Sequence, residues 1–319
     1  MRILIIDSHK GGISPPQNLH WLNADRIRDH LTTLGHTVDF IWSYPSVNDS
    51  IKENYDVIVF NHASQYSFVD YEWVHRSPNA KLFYITNEYN LGEPRILWMA
   101  VKNGRRYSVI ANHSSKISKV VTKYTDSWDV VNINALIADD SYTEPCLEAK
   151  DGCIYYGSFR KGRIPSFIKY FTSEDVVVST HKKNRQKFTD AGVSPKFIDR
   201  INWKVGLKSY KSSLYLEDEL THTNYNCPAN RFYEAINDYV VPFFDSTCLN
   251  TLNLSLYKDI IVPDLFVVHN SEDLRSKINA IEPSIGGEYY QILDKCRNIA
   301  MVEKASVLDS ITSLIIQSV

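Results

Sequence analysis

Signature patterns of several large enzyme classes are missing from this sequence. Its 319 residues contain no G-x-G-x-x-G after the first strand-like run, no Walker A pattern, no H-E-x-x-H and no G-x-S-x-G. These patterns place the dinucleotide, the phosphates, the zinc ion and the nucleophile in dehydrogenases, P-loop kinases, zinc proteases and α/β-hydrolases. The sequence therefore disfavours all four classes.

Paired cysteines and long apolar runs are also absent. The five cysteines include no C-x-x-C pair, and their odd number predicts free thiols in a reducing cytoplasm rather than a disulfide framework or a zinc site. No run of about 18 apolar residues is present, so no membrane span is expected. Because a strand-like run begins directly after Met1, no secretory leader is expected either.

Charge is nearly balanced over the whole chain, with a formal net charge of −2. This balance argues against a general nucleic-acid-binding protein. Residues 160–211, however, contain 13 Lys and Arg against 4 Asp and Glu. Such a basic region suits a polyanionic ligand on one face, and it suits solvated helix surfaces equally well.

Apolar runs alternate with helical patterns along the chain, which predicts an α/β fold with parallel sheets. Residues 134–150 lose this periodicity, as expected of a linker. In the first part, strands are expected at residues 2–7, 37–42, 55–61, 81–86, 107–112 and 128–133, and helices at 22–34, closed by Gly35, and 117–124.

The same alternation restarts after the linker. The chain is thus expected to form Rossmann-like domains at 1–148 and 149–300, which face a central cleft, and a terminal helix at 301–319 that packs back toward the first domain. In the second part, strands are expected at 153–157, 174–180, 220–224 and 239–245, and helices at 166–171, 182–188, 209–217, 229–238, 271–281 (with Ser271 as N-cap) and from about 288 onward.

Residues 154–163, I-Y-Y-G-S-F-R-K-G-R, join the end of a predicted strand to a helix. Gly157 permits close backbone approach, Ser158 can donate a hydrogen bond, and Arg160 can form two bonds to phosphate oxygens. Free N–H groups at the start of the following helix also favour an anion. The turn is therefore a candidate phosphate site, and a solvated surface loop is the alternative.

A second motif places Arg231 and Glu234 one helical turn apart, so both side chains leave the same face. A cation for phosphate and a carboxylate for ribose hydroxyls would together suit a nucleotide. An intrahelical ion pair explains the same spacing, with a contribution of only a few tenths of a kcal/mol.

A third motif is the carboxylate of Glu88, which follows the predicted strand at 81–86 and Asn87. A carboxylate at the carboxyl end of a strand faces the cleft and is a candidate general base. An ordinary loop acid is the alternative.

Taken in this order, the motifs resemble those of the phage DNA β-glucosyltransferases. The most specific match is I-Y-Y-G-S-F-R at 154–160, which resembles the family's I-Y-G-G-S-F-R turn. The stretches at 81–91, 181–188, 230–245 and 266–281 resemble the strand that ends in the family's catalytic Asp, its basic helix, its R-x-W-E helix and a late strand and helix. The resemblance runs through most of the chain and implies the two-domain GT-B fold.

The resemblance also implies an activity and a set of roles. The chain would be an inverting glycosyltransferase that moves a sugar from a UDP-sugar to hydroxymethylcytosine in double-stranded DNA, as a monomer in the cytoplasm of the infected host. Its pyrophosphate cradle would not require a metal, although Mg²⁺ or Mn²⁺ near the pyrophosphate is compatible with it. Glu88 would be the base, and the donor would be bound by Gly157, Ser158, Arg160, Arg163, Gly206, Leu207, Arg231 and Glu234, with Gly206 and Leu207 at the uracil.

Two departures from the family pattern concern the sugar. The family's catalytic Asp becomes Glu88, one methylene longer, and its second arginine after S-F-R falls on Ile164, with Arg163 one residue early. A longer base suits a smaller or differently placed sugar, so UDP-arabinose is a candidate donor beside UDP-glucose.

The acceptor side is indicated by fewer residues. A base in duplex DNA must be flipped out before its hydroxymethyl group can react. Lys102, Arg105 and Arg106 are candidate phosphate contacts, and Tyr66, Phe68, Tyr71 and Trp73 are candidates to line the access to the site. Two alternatives stay open: a GT-B enzyme with a glycan, lipid or small-molecule acceptor, and a non-catalytic module that binds a nucleotide sugar or DNA.

Overall fold

The computed structural model of the chain describes residues 1–9, 19–43, 54–61, 76–86, 104–112, 125–139, 151–171, 175–201, 207–282 and 287–317. The chain divides into two compact units. Unit 1 comprises Met1–Ile137 with Glu303–Val319, and unit 2 comprises Ala138–Val302. Each unit is built on one six-stranded sheet, which confirms the predicted α/β class.

The sheet of unit 1 contains β1 (Arg2–His9), β2 (Thr37–Ser43), β3 (Val57–Asn61), β4 (Lys81–Thr86), β5 (Tyr107–Asn112) and β6 (Thr125–Val131). Its order is β2-β1-β3-β4-β5-β6, and every pair is parallel. Every residue of β3 is buried, as expected of an apolar strand covered on both faces.

Helix α1 (Leu19–Thr33) connects the first two strands of unit 1. It buries Ala24, Ile27 and Leu31, which recur at helical spacing on one face. Gly35 follows with φ of 85°, a left-handed conformation that glycine adopts without a Cβ penalty, and it ends the helix as predicted.

The sheet of unit 2 contains β7 (Asp151–Tyr156), β8 (Val176–Ser179), β9 (Lys196–Ile198), β10 (Tyr210–Tyr215), β11 (Val241–Asp245) and β12 (Val267–Val268). Its order is β12-β11-β10-β7-β8-β9, again parallel throughout.

The helices that follow in the chain are α2 (Ile164–Tyr170), α3 (Lys182–Asp190), α4 (Glu219–Asn224), α5 (Asn230–Asn237), α6 (Leu249–Asn253), α7 (Pro263–Phe266), α8 (Ser271–Ala280) and α9 (Glu288–Gln317). Short 3-10 helices lie at Ile133–Ile137, Lys161–Arg163 and Ser246–Cys248. The predicted helix at 117–124 lies outside the described residues.

Two predictions on either side of residue 218 are wrong. The segment 209–217 was expected to be a helix, but it contains β10, which pairs with both β7 and β11. Its two small polar residues, Ser212 and Ser213, are buried in this central strand and obscure its apolar pattern. The segment 220–224 was expected to be a strand, but it belongs to α4, which begins where Asp218 Oδ1 accepts a hydrogen bond from the Thr221 N–H at 3.0 Å.

The predicted N-cap of α8 is also wrong by one residue. Asn270 is the cap, because its Oδ1 accepts a hydrogen bond from the Asp273 N–H at 2.8 Å. In return, the Asp273 carboxylate accepts one from the His269 N–H at 2.9 Å. The two bonds satisfy backbone donors on both sides of the helix start.

Helix α9 begins at Glu288, where the periodicity predicted it, and its final turns belong to unit 1. There, Glu303 accepts a hydrogen bond from Asn132 Nδ2 at 2.7 Å, and Asp309 Oδ1 lies 3.2 Å from Nε2 of His30 on α1. No helix among the described residues is long and apolar enough to cross a membrane.

Candidate functional site

The strand order of unit 2 reverses between β7 and β10. The chain adds β8 and β9 beside β7, and it adds β11 and β12 beside β10. Connections that leave neighbouring strands toward opposite faces open a crevice at the carboxyl ends of those strands, and doubly wound sheets bind ligands there. The turn predicted to bind phosphate follows β7, directly at this crevice.

The turn after β7 is held by its aromatic residue. The ring of Phe159 packs edge-on against Phe188, with ring centroids 5.0 Å apart, and lies 5.8 Å from Phe167. Ser158 and Arg160, on either side of Phe159, are exposed. Packing of the half-buried Phe159 ring therefore fixes the turn and leaves a hydroxyl and a guanidinium on its outer side.

Gly157 is required by a close approach within the protein. A Cβ at this position would lie 2.9 Å from the hydroxyl oxygen of Tyr155, which is fully buried, and 3.5 Å from Nη1 of Arg231. From the sequence, Gly157 is expected to permit close approach to the backbone at the phosphate site. The structure adds that a second predicted residue, Arg231, reaches the same point.

Three consecutive residues at the end of β10 fix the side chain of Arg231. Its guanidinium carbon lies 4.7 Å from the centre of the Tyr215 ring, and its Nη2 donates to the carbonyl oxygen of Leu216 at 2.7 Å and to Oε1 of Glu217. Burial alone would lower the pKa of this guanidinium, but Glu217 and, to a smaller extent, the neighbouring tyrosine hydroxyls together outweigh it and raise the pKa overall. Arg231 therefore stays charged although its side chain is only 12% exposed.

Glu217 lies between two arginines. Its Oε2 accepts a hydrogen bond from Nη2 of Arg163, while its Oε1 pairs with Arg231. Nη1 of Arg163 also donates to the Tyr155 hydroxyl at 3.2 Å. Arg163, predicted to contact the donor, is thus a buried residue whose guanidinium faces protein groups.

Arg160 pairs with a second carboxylate at the same edge. Its Nη1 lies 3.2 Å from Oδ2 of Asp218, and its side chain is 54% exposed. Burial alone would raise the pKa of Asp218, but two hydrogen bonds from Thr221 and the charges of Arg163 and Arg160 lower it overall. Asp218 is therefore ionised and ties the exposed Arg160 to the buried network.

Glu234 lies one turn after Arg231 on α5, next to Tyr156. Burial raises the pKa of its carboxyl to about 7, against the opposing effects of Arg231, the Tyr156 hydroxyl and Arg200. The Tyr156 hydroxyl also donates to the Arg231 carbonyl oxygen at 2.6 Å. The end of β7 and the first turns of α5 are thereby linked beside the carboxyl group.

Arg200 and His181 add polar groups to the ends of β9 and β8. Nη1 of Arg200 lies 3.0 Å from Nε2 of His181, and both side chains are exposed. Among the described residues, no group of three or more His, Cys, Asp or Glu side chains is placed to hold a metal ion.

The structure gives a different setting to Leu207, predicted to read a uracil through its backbone. Its N–H donates to Oδ2 of Asp238, and its carbonyl oxygen accepts from the Tyr210 N–H at 2.9 Å. Both backbone groups of Leu207 thus have protein partners. Its predicted companion Gly206 lies outside the described residues.

In unit 1, Arg105 and Arg106 of the predicted DNA contacts are described. Arg105 is half-buried, donates to the carbonyl oxygens of Ser77 and Ala80, and has a pKa lowered by burial. Arg106 is exposed. The remaining predicted residues of this unit, Glu88, Lys102 and the aromatic residues at 66–73, lie outside the described residues.

Sequence reasoning missed Glu217 and Asp218. The segment at 209–217 has a helical pattern, so the sequence does not predict that Glu217 lies at the end of a strand. If β10 had been recognised, the same rule that selected Glu88 would have selected Glu217, because both follow a central parallel strand.

No protein-family model matches the sequence, and no curated protein matches it significantly. Solved structures do match. The DNA modifying enzyme β-glucosyltransferase, solved in the presence and absence of its substrate uridine diphosphoglucose, is similar with a TM-score of 0.66 and 18% identity over 99% of each chain. The apo structure of OtsA is similar with a TM-score of 0.52 and 8% identity over 98% of each chain. The chain therefore has the GT-B fold that the resemblance implied.

Proposed function

We propose that the chain is an inverting glycosyltransferase that moves a sugar from a UDP-sugar to the hydroxymethyl group of 5-hydroxymethylcytosine in DNA. The observation that carries the proposal is the network at the switch point of unit 2, where Arg231 is held in place beside Gly157 and the exposed Ser158 and Arg160. Arginines and a hydroxyl beside a tight turn suit a diphosphate. Glu234 suits the ribose hydroxyls, because a carboxylate accepts hydrogen bonds.

The likeness to the DNA modifying β-glucosyltransferase, whose substrate is uridine diphosphoglucose, supports both halves of this proposal. In the proposed reaction, the acceptor hydroxyl oxygen attacks the anomeric carbon while the bond to the UDP oxygen breaks. The hydroxyl proton passes to Glu88, and the charge that develops on UDP is stabilised by Arg160 and Arg231. Attack from the face opposite the leaving group inverts the anomeric centre.

A direct test supplies duplex DNA that contains 5-hydroxymethylcytosine with UDP-glucose or UDP-arabinose, with and without Mg²⁺ or Mn²⁺. We expect the modified base to gain the mass of one hexosyl or one pentosyl unit, whichever donor is used, and matched cytosine DNA to stay unmodified. If no donor labels the base, the DNA half of the proposal is wrong.

A GT-B enzyme with a glycan, lipid or small-molecule acceptor is the second candidate, and the net charge of −2 favours it. Slow hydrolysis of the UDP-sugar without transfer to DNA would support this candidate. A non-catalytic binding module is distinguished by Glu88→Gln. In an enzyme, this variant should lose turnover by roughly 100- to 10,000-fold while it binds UDP like the wild type.

A further inference from the structure

We propose that Glu217 is a positioning residue of the donor site, which holds Arg231 in the orientation that receives the diphosphate. The inference rests on the proposed function, because it presumes that this site binds a nucleoside diphosphate. Glu217 itself would not touch the ligand, since its side chain is 2% exposed and both carboxylate oxygens already face arginines.

The geometry assigns each oxygen of Glu217 to one arginine. Oε1 accepts from Nη2 of Arg231, and Oε2 accepts from Nη2 of Arg163. Because Arg163 is buried, it needs a compensating charge, and Glu217 supplies it to both guanidinium groups at once. Their mutual repulsion at this edge is therefore offset by the Glu217 carboxylate that they share, and Asp218 Oδ2 adds a second negative charge 3.7 Å from Nε of Arg163.

The bonds to Nη2 leave another part of Arg231 available. Nη2 is used by Leu216 and Glu217, whereas Nε has no hydrogen-bond partner among the described residues. Nη1 makes neither of these two bonds, and it lies 3.5 Å from the position of a Cβ on Gly157. By holding Nη2, Glu217 orients the guanidinium so that Nη1 lies beside the turn that begins at Gly157 and Ser158.

Removing the charge of Glu217 by a substitution of equal size would disturb the orientation of Arg231 without leaving a cavity. In Glu217→Gln, one oxygen becomes an NH₂ group, and it would face one of the two guanidinium groups donor to donor. Glu217→Asp keeps the charge, but its carboxylate is one methylene shorter and cannot span both arginines in the same way. The two variants therefore separate loss of charge from loss of reach.

The test compares UDP with uridine, because only UDP carries the diphosphate. UDP affinity is measured by isothermal titration calorimetry, and uridine affinity by competition with UDP. For Glu217→Gln we expect UDP to bind about 10- to 100-fold more weakly, the range for a lost charge-assisted hydrogen bond. Uridine affinity should change by less than about threefold, and Glu217→Asp should lie between the wild type and Glu217→Gln.

Asp199→Asn is the matched control, since Asp199 is exposed and pairs with Arg185 in the same unit. The proposal would be overturned if the ratio of UDP affinity to uridine affinity is the same in Glu217→Gln as in the wild type, whether both affinities are unchanged or both fall equally. If Glu217→Gln does not fold, as judged by circular dichroism, the same ratio in Glu217→Asp decides. If the wild type does not bind UDP, the proposed function fails first. If it binds and the ratio is unchanged, only the role of Glu217 fails.

Discussion

Gly157 and Arg231 meet at the carboxyl edge of the second sheet, where a Cβ on Gly157 would lie 3.5 Å from Nη1 of Arg231. The two residues are far apart in sequence, and they were selected for separate reasons, one as a turn glycine and the other as a helix cation. Their contact makes the turn after β7 and the start of α5 parts of one site. Predictions about each can therefore be tested with the same ligand.

Replacement of Gly157 should affect both stability and binding. In Gly157→Ala, the new methyl group would lie 2.9 Å from the hydroxyl oxygen of the buried Tyr155, and one of the two must shift. We expect a loss of about 1–3 kcal/mol in the free energy of unfolding. Displacement toward Arg231 should also weaken UDP binding about tenfold or more.

Gly192→Ala is a control with a similar stability cost away from the turn. Gly192 has φ of 83° and open space around its Cβ position, so alanine would be strained by its backbone alone. Its UDP affinity should equal that of the wild type. Equal UDP affinity in Gly157→Ala and the wild type would contradict the assignment of the turn.

Arg231→Lys tests whether geometry or charge matters at this position. Lysine keeps the charge, but it cannot bond to Leu216 and Glu217 and still present a further N–H group in a fixed plane. We expect UDP affinity to fall about 10- to 100-fold in calorimetry. Arg275→Lys, at an exposed ion pair with Asp175, should change it less than about twofold, and a similar loss in both variants would argue against a site at Arg231.

The stability of the protein should depend on pH through Glu234. Its carboxyl pKa rises from an ordinary value of 4.5 to about 7 in the fold, so the folded chain holds this proton more tightly than the unfolded chain. The resulting stabilisation is complete below about pH 4.5 and is lost as the pH rises through about 7. Glu234→Gln mimics the neutral carboxyl at every pH, so the melting temperature of the wild type minus that of the variant should fall by several degrees between pH 5 and pH 8.

Glu219→Gln provides the comparison for this series, because Glu219 is an exposed acid on α4. Its melting temperature should follow that of the wild type over the same range. A flat difference between the wild type and Glu234→Gln, or one that increases with pH, would show that Glu234 is not neutralised by burial.

The thiols offer a test of the core of unit 2. Cys153, Cys227, Cys248 and Cys296 are buried, and burial raises the pKa of Cys153, Cys248 and Cys296 to about 12. In the folded protein at pH 8, Ellman's reagent should react rapidly with at most Cys146, which lies outside the described residues. All five thiols should react in denaturant, and two or more fast thiols before unfolding would contradict this packing.

Local sequence was sufficient to predict the position of the turn after β7 and of most strands. The glycine and the S-F-R segment after an apolar run lie within a few residues of one another, so their position at a strand end follows from short-range pattern alone. The strands at Lys81–Thr86 and Tyr107–Asn112 have the predicted bounds for the same reason, since both are short apolar runs bordered by polar residues.

The carboxylates of the site, Glu217 and Asp218, could not be predicted from local sequence. Arg163 and Glu217 are 54 residues apart, and only the pairing of β7 with β10 brings them together. That pairing also makes a strand of a segment with a helical pattern, since Ser212 and Ser213 are buried between two neighbouring strands. Long-range sheet contacts therefore override the local pattern at the position where the missed carboxylates lie.

The support of Arg231 by a ring, a carbonyl oxygen and a carboxylate has a consequence for the entropy of binding. A free arginine side chain loses up to about 2 kcal/mol of rotamer freedom when it becomes ordered. Because Tyr215, Leu216 and Glu217 already order this side chain, that freedom is lost when unit 2 folds and not when a ligand arrives. The recognition of negative charge at this edge is therefore built into the rigid part of the fold.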